Sequence, residues 1–338
     1  MNQNWIAVDL DERVCLHGGG KLKEWFWSDP DCVLDALRVP DTGETINDLI
    51  AGYSAVQRAP LFRLPPELID QIFHQIIISS GAYDARLLLL ALTCKALLAC
   101  ARRHIVRRQM RHHAPLAGHR LICIGEGATT LEDYPPSMLA TSEAEDLATS
   151  AGDRDGETSL YSRATARWRR YSSRRPCSGS DAAGVTCGLG MAGLAADLIY
   201  RPSAVSRMSL QDFVRFQALT TPLPRAVESG DRPRVLCNLS KQEYVCAELG
   251  NDSRHITLWQ MLLACICWTS SASLTGEMGG DNEQLYRGRW AGDRFAIRTM
   301  DLTNMISWSA GDSDGAWKDV SYEVIHLVKS LQSIATIH

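Results

Sequence analysis

The sequence predicts an α+β protein: two related small α/β modules, the first carrying a helical insertion, joined by a low-complexity linker. Three observations predict it. Residues 61–105 repeat apolar residues at helical spacing. A strand, turn, helix and strand pattern occurs twice, once around that stretch and once after residue 230. Between the copies, the sequence keeps no sustained period.

Composition sets the outer bounds. The chain has 338 residues, 45% hydrophobic and 22% charged, with a net charge of −4, enough for two or three domains with cores. That balance gives no reason to expect a membrane or nucleic acid as partner. No run reaches the roughly 18 apolar residues needed to cross a bilayer. The most apolar stretch, Leu87 to Ala101, is broken by Lys95 and reads as a buried helix. The start MNQNWIAVDLDER carries acids where a secretion signal is basic, so the expected location is cytoplasmic or nuclear. The eleven cysteines are scattered through apolar runs and read as reduced, small hydrophobes.

In the first copy, WIAVDLDERVCL (5–16) alternates into a turn, and KLKEWFW (21–27) follows as a helix. At 234–245, RVLCNLSKQEYV has the same outline, and ITLWQMLLACICW (256–268) takes the helical place. Each copy then enters a strand through Ala-Gly-(His/Asp)-Arg: PLAGHRLICIGE at 115–126 and RWAGDRFAIRTM at 289–300. The glycine there permits a positive φ at the turn. Arg120 and Arg294 occupy matched places, and the expected role of each is a salt bridge closing its own module.

The insertion begins LFRLPPELIDQIFHQIIISS (61–80). Prolines 65 and 66 suit a first helical turn, and Glu67 suits its positive end. Leu68, Ile69, Ile72, Phe73, Ile76 and Ile77 make one wide apolar face. A second helix is expected from about Asp84 to Ile105, with arginines gathering toward its C-terminal end. The resulting boundaries are 1–40 and 114–140 for the split first module, 58–113 for the insertion, 141–230 for the linker and 231–335 for the second module. Within the linker, RATARWRRYSSRR (163–175) holds six arginines and reads as solvated chain.

The Leu-Pro-x-Glu-Leu start and the downstream Leu-Thr-Cys-Lys at 92–95 resemble the F-box, particularly the F-box-like form of fungal proteins. One feature departs from it: the Trp often found soon after the Cys-Lys pair is absent, and Leu97 lies nearby. The resemblance implies a substrate-recruiting adaptor, not an enzyme, in the ubiquitin-conjugation pathway. It implies that Leu64, Pro65, Leu68, Ile72, Leu88 and Leu92 contact a Skp-type adaptor, and through it a cullin ligase. The protein recruited is not named by the residues. Most of the chain also resembles a group of fungal F-box-like proteins, through WIAVDLDER, AGHRLICIGE, CNLSKQEYV, RGRWAGDRFAI and WKDVSYEV. A looser similarity to small bacterial proteins with an NLDKREYL-like start covers one module. The bottom-up alternative remains a scaffold or interaction protein whose helical hairpin packs internally, which requires the face of Leu68, Ile72 and Ile76 to be covered.

Other motifs weigh little. Asp9-Leu-Asp11 after an apolar run resembles the acid pair of haloacid-dehalogenase phosphatases, but Arg13 stands where that pattern has Thr or Val, and the second copy has Asn238 and Ser240. Gly18-Gly19-Gly20-Lys21 lacks the P-loop frame and hydroxyl residue, and reads as a flexible turn. The nine histidines are dispersed, and the adjacent pair His112-His113 points two ways. No metal, cofactor or catalytic residue is expected. The tryptophans are anchors of core or interface, and any that cluster on the surface mark a candidate capture patch.

Overall fold

The computed structural model describes residues 3–28, 31–52, 59–80, 86–128, 130–136, 138–150, 159–171, 209–220, 234–246, 256–269, 286–299 and 317–337. The fold is mixed α+β, and the chain divides into two compact units. Residues Met1–Arg38, Leu116–Ser172 and Asp231–His338 form an α/β unit, and Val39–Pro115 with Ser173–Gly230 forms a helical one.

The α/β unit opens with β1 (Asn4–Asp9) and β2 (Val14–Lys21), an antiparallel hairpin, followed by helix α1 (Leu22–Trp27) and α2 (Asp31–Leu37). The glycine run read as a flexible turn lies within β2, where Gly20 pairs with Trp5. A Cβ at Gly20 would sit 2.6 Å from Nε1 of Trp25, so the strand needs glycine there to let the indole approach. Strand β3 (Leu121–Gly125) pairs antiparallel with β1 on its other side, and all five of its residues are buried.

The second copy repeats the plan. Strands β5 (Arg234–Asn238) and β6 (Glu243–Cys246) form a hairpin, and β8 (Phe295–Thr299) pairs antiparallel with β5. Both hairpins turn by the same local chemistry. Asp9 Oδ1 accepts from the N–H groups of Asp11 and Glu12 at 2.9 and 3.2 Å. Asn238 Oδ1 accepts from Ser240 and Lys241 at 2.9 and 3.0 Å. Such a turn needs a side-chain oxygen and no charge, which is why Asp and Asn exchange here. The turn's last residue has positive φ in both copies, 53° at Arg13 and 55° at Gln242. Gly118 and Gly292 match likewise, at 85° and 81°.

The two copies do not stay separate. Helix α10 (Leu258–Ile266) is buried at every residue, with Thr257 and Gln260 capping its start reciprocally. A helix apolar on all sides has to be covered all round, and one small module cannot do it. Trp259 Nε1 donates to the Trp25 carbonyl at 2.8 Å, and Gln260 Nε2 to that of Phe26 at 3.1 Å, tying α10 to the first copy. The chain then continues into β7 (Cys267–Trp268), which pairs parallel with β3. The second copy thus completes the first copy's sheet.

At the junction, Arg120 and Arg294 face each other across an antiparallel bridge. Around it, the Leu121 N–H donates to Asp293 O at 3.0 Å and the Gly118 N–H to Phe295 O at 2.7 Å. One apolar cluster holds Trp5, Trp25, Trp259, Trp290 and Phe295 together. The main apolar cluster thus spans both copies, and a smaller one of Val235, Cys237, Tyr244 and Cys246 belongs to the second copy alone.

The linker expectation also needs correction. Residues 141–150 and 160–167 form α7 (Thr141–Ser150) and α8 (Leu160–Arg167), and Leu160 and Ala164 enter the α/β core. Arg169 and Arg170, inside the arginine-rich run, form strand β4 (Arg169–Arg170), parallel to β2. The short strand β9 (Lys318–Asp319) takes the matching place beside β6 and leads into α11 (Ser321–Ile337), which packs on α10. Segments 151–158, 172–208 and 221–233 lie outside the described residues.

The helical unit contains α3 (Thr42–Ile50), a 3-10 turn (Pro60–Arg63), α4 (Pro66–Ser80), α5 (Arg86–Leu92), α6 (Lys95–His113) and α9 (Leu210–Thr220). It therefore starts before residue 58 and takes in a helix from the presumed linker. The single helix expected over 84–105 is broken at Thr93, whose hydroxyl donates to the Leu90 carbonyl at 2.7 Å, and at Cys94, which is fully extended. A hydroxyl competing for the last carbonyls ends one helix, and Lys95 begins the next.

One pair distinguishes the copies by charge. His119 Nδ1 lies 2.8 Å from Oδ2 of the fully buried Asp9, whereas the second copy places Asn238 Nδ2 2.8 Å from Asp293 Oδ2. The Asp9 hydrogen bond raises the His119 pKa above 6.5; partial burial opposes the rise, and the charges of Asp9, Asp11 and Glu12 add to it. Its stabilising contribution is therefore fully present below about pH 6.5 and lost as pH rises through the folded value. Urea midpoints of the wild type should exceed those of His119→Gln by more at pH 5.5 than at pH 8.5; an equal gap at both would refute the assignment.

Candidate partner-docking surface

The helical unit closes its own core before any partner is considered. Ile69 and Phe73 of α4 point inward, onto Leu87, Leu88 and Ala91 of α5 and onto Leu97, Leu98, Ala101 and Ile105 of α6. Phe216 and Leu219 of α9 join the same cluster, and Gln109 Nε2 donates to the Leu219 carbonyl at 2.6 Å. Lys95 Nζ reaches the Ala51 carbonyl, a group left over at the end of α3.

Helix α4 starts at the second of two prolines, where a missing N–H costs nothing, with Glu67 in the first turn. One turn on, Asp70 locks it to α6: Arg103 Nε donates to Asp70 Oδ1 at 2.7 Å, and His104 Nε2 lies 2.7 Å from the same oxygen. The Arg103 bond holds the Asp70 carboxyl below the usual carboxylate range. This clip fixes the rotation of α4, and hence which apolar residues stay outside.

Leu64 is 37% exposed, Leu68 is 43% exposed, and Pro65 is exposed between them. Ile72, one turn further, is half-buried. Leu64 and Pro65 lie in the extended backbone just before α4, and Leu68 and Ile72, four residues apart on the helix, share a side next to the core-facing row of Ile69 and Phe73. Four of the six residues expected to touch a partner therefore lie together at the start of α4. The other two do not. Leu88 is 1% exposed and belongs to the internal core, so its side chain cannot meet a partner. Leu92 is half-buried against that core. In the run RLLLLAL nothing polar marks which leucines face inward, and only the packing of α6 decides it.

The remaining candidates resolve as structure. Asp9 organises its turn, and Asp11 is taken by Arg120 Nε and Arg294 Nη1, both at 2.7 Å. Two guanidiniums satisfy that carboxylate, so the acid pair does not present itself to a phosphate and a cation. Among the described residues no cluster of three or more His, Cys, Asp or Glu could hold a metal ion. Burial pushes the Cys237 thiol up to about 12 and raises Cys265 and Cys267 as well, which makes them poor nucleophiles. Of the described tryptophans Trp27 alone is exposed, so no tryptophan patch marks a capture surface among the described residues.

No described helix is long and apolar enough to cross a membrane. Comparison of the chain with protein families, curated proteins and solved structures gives no match.

Proposed function

We propose that the protein is an F-box-type adaptor, which docks on a Skp-type protein of a cullin ligase and brings another protein to be ubiquitylated. The observation that carries this reading is the group Leu64, Pro65 and Leu68: apolar, exposed, and held at the start of a helix whose Ile69 and Phe73 are packed into the core. A helical unit that needed these residues for itself would bury them. The internally packed alternative requires Leu68, Ile72 and Ile76 to be covered; Ile72 is half-buried and Ile76 packs against the core, while the exposure of Leu68 speaks against it. The α/β unit is the part available for recruitment.

The test is co-precipitation with a Skp-type adaptor. Wild type should recover it, and Leu64→Ala with Leu68→Ala should lower recovery at least tenfold, since central apolar anchors are worth about 2 kcal/mol each. Both side chains lie outside the buried core cluster, so the melting temperature should fall by only a few degrees. Equal recovery by the double variant, or none by the wild type, would end the proposal.

A further inference from the structure

Helix α6 carries Lys95, Arg102, Arg103, Arg107, Arg108 and Arg111 and no acidic residue, in a chain whose net charge is −4. Its inward row, Leu97, Leu98, Ala101 and Ile105, is packed in the core of the helical unit. Outward lie Arg103, Arg107 and Arg111, four residues apart and all exposed. An α-helix rises about 1.5 Å per residue, so these side chains leave the backbone about 6 Å apart along one line. The macrodipole favours a cation in the last turn, which accounts for Arg111 but not for a line that reaches back two turns.

The line is mostly uncompensated. Arg103 Nε donates to Asp70 Oδ1 at 2.7 Å, yet its side chain stays 71% exposed. Arg107 and Arg111 have no carboxylate partner among the described residues. Like charges four residues apart repel, so the line costs the helix stability that an opposing row of carboxylates would return. Nearer the start of α6 the same side is small: Ala99 is exposed, and Ala96 and Cys100 are half-buried. Small side chains let a second helix approach closely. Helix α6 contains no Phe, Tyr or Trp on which a base could stack, so the face suits a polypeptide better than a single nucleic-acid strand.

We infer that the outer face of α6 binds an acidic helix of a partner protein. Carboxylates repeated every four residues on that helix have the same 6 Å spacing, roughly, as the arginines they meet. They pair with Arg107 and Arg111 through the planar guanidinium fork and share Arg103 with Asp70. The surface uses other side chains than Leu64, Pro65 and Leu68, so it goes beyond adaptor docking and does not depend on it.

The test uses the full chain alone, without any Skp-type protein. It is titrated at low salt against a fluorescein-labelled, alanine-rich peptide of about 20 residues with glutamate at every fourth position, long enough to be partly helical. A second peptide of the same composition carries its glutamates in one block. The expected result is a saturable rise in anisotropy with the first peptide. Binding should be about tenfold weaker for the block peptide, and about tenfold weaker for Arg107→Gln with Arg111→Gln. No binding of the first peptide, or equal binding of the two, overturns the inference. Binding of a single-stranded oligodeoxynucleotide through the same two arginines, with none of the peptide, also overturns it, in favour of a nucleic-acid backbone. The comparison of the two peptides is made on the wild type, so it decides the matter even if the double variant folds poorly.

Discussion

Replacing Gly288 by alanine is expected to be the most damaging single methyl addition in the α/β unit. A Cβ there would lie 2.6 Å from the Cys265 carbonyl carbon, closer still to its oxygen, and 2.8 Å from the Cys267 carbonyl oxygen. These are backbone atoms, which cannot rotate away as a side chain would. They also belong to the crossing on which the shared core depends: the Gly288 N–H donates to Cys267 O at 2.7 Å and the Trp290 N–H to Cys265 O at 2.9 Å. Making room means parting the chain from the end of α10 and loosening Trp290, which is fully buried. The expected cost is about 3 kcal/mol, at the upper end for overpacking. Gly118→Ala is the control. It has a φ of 85° but nothing within 4 Å of a Cβ, so it should cost about 1 kcal/mol of backbone strain. Urea denaturation of both variants checks the order; if Gly118→Ala proves the more damaging, the close crossing at residue 288 is not what holds the copies together.

The second large effect belongs to Arg120. Its side chain is 18% exposed and serves Asp11, Glu143 and the Met138 carbonyl at once. Removing it leaves two partly buried carboxylates without their main cation, for which about 2–3 kcal/mol is expected, less than for a fully buried pair. Arg294 also reaches Asp11, but its side chain is 46% exposed, and Arg294→Met should cost no more than about 1 kcal/mol. The pH dependence has a definite sign. The Glu143 carboxyl is lowered by its Arg120 hydrogen bonds; burial pulls the Asp11 carboxyl the other way, and its Arg120 bonds outweigh it. A depressed carboxylate stabilises above its unfolded pKa, and that stability is lost as pH falls through the folded value. The gap between wild type and Arg120→Met should therefore be full at pH 6 and shrink as pH falls from about 4 toward 2. A gap unchanged by acid would mean that Arg120 acts by packing and not by charge.

Arg120 also marks the limit of what can be read in advance. The AGHR and AGDR entries identify Arg120 and Arg294 as equivalent, and each was expected to close its own module. Arg120 does so through Asp11 of the first copy, but Arg294 of the second copy reaches across to the same Asp11. Equivalence in sequence says that two residues share a local geometry. It does not say which copy supplies their partner. The same division runs through α4: its periodicity and proline start are legible, but whether Leu68 or Leu88 meets solvent depends on how α5 lies against α6.

The sequence by itself determined what short-range chemistry controls. The two hairpin turns follow from a side-chain oxygen at residues 9 and 238, and the strand entries from glycine at 118 and 292, where only a few neighbouring bonds are involved. It also determined the helical character of residues 66–80 through apolar spacing. The tertiary structure alone decided that β7 joins the first copy's sheet, that residues 141–150 and 160–167 are helices bearing on the core, and that the two modules share it. For residues 160–167 the physical reason is the burial of Leu160 and Ala164 against β1 and β2; for the strand pairing and the shared cluster it is α10. Helix α10 is too apolar to be covered by its own copy, and burying it selects pairings between residues more than a hundred positions apart, which no local pattern records.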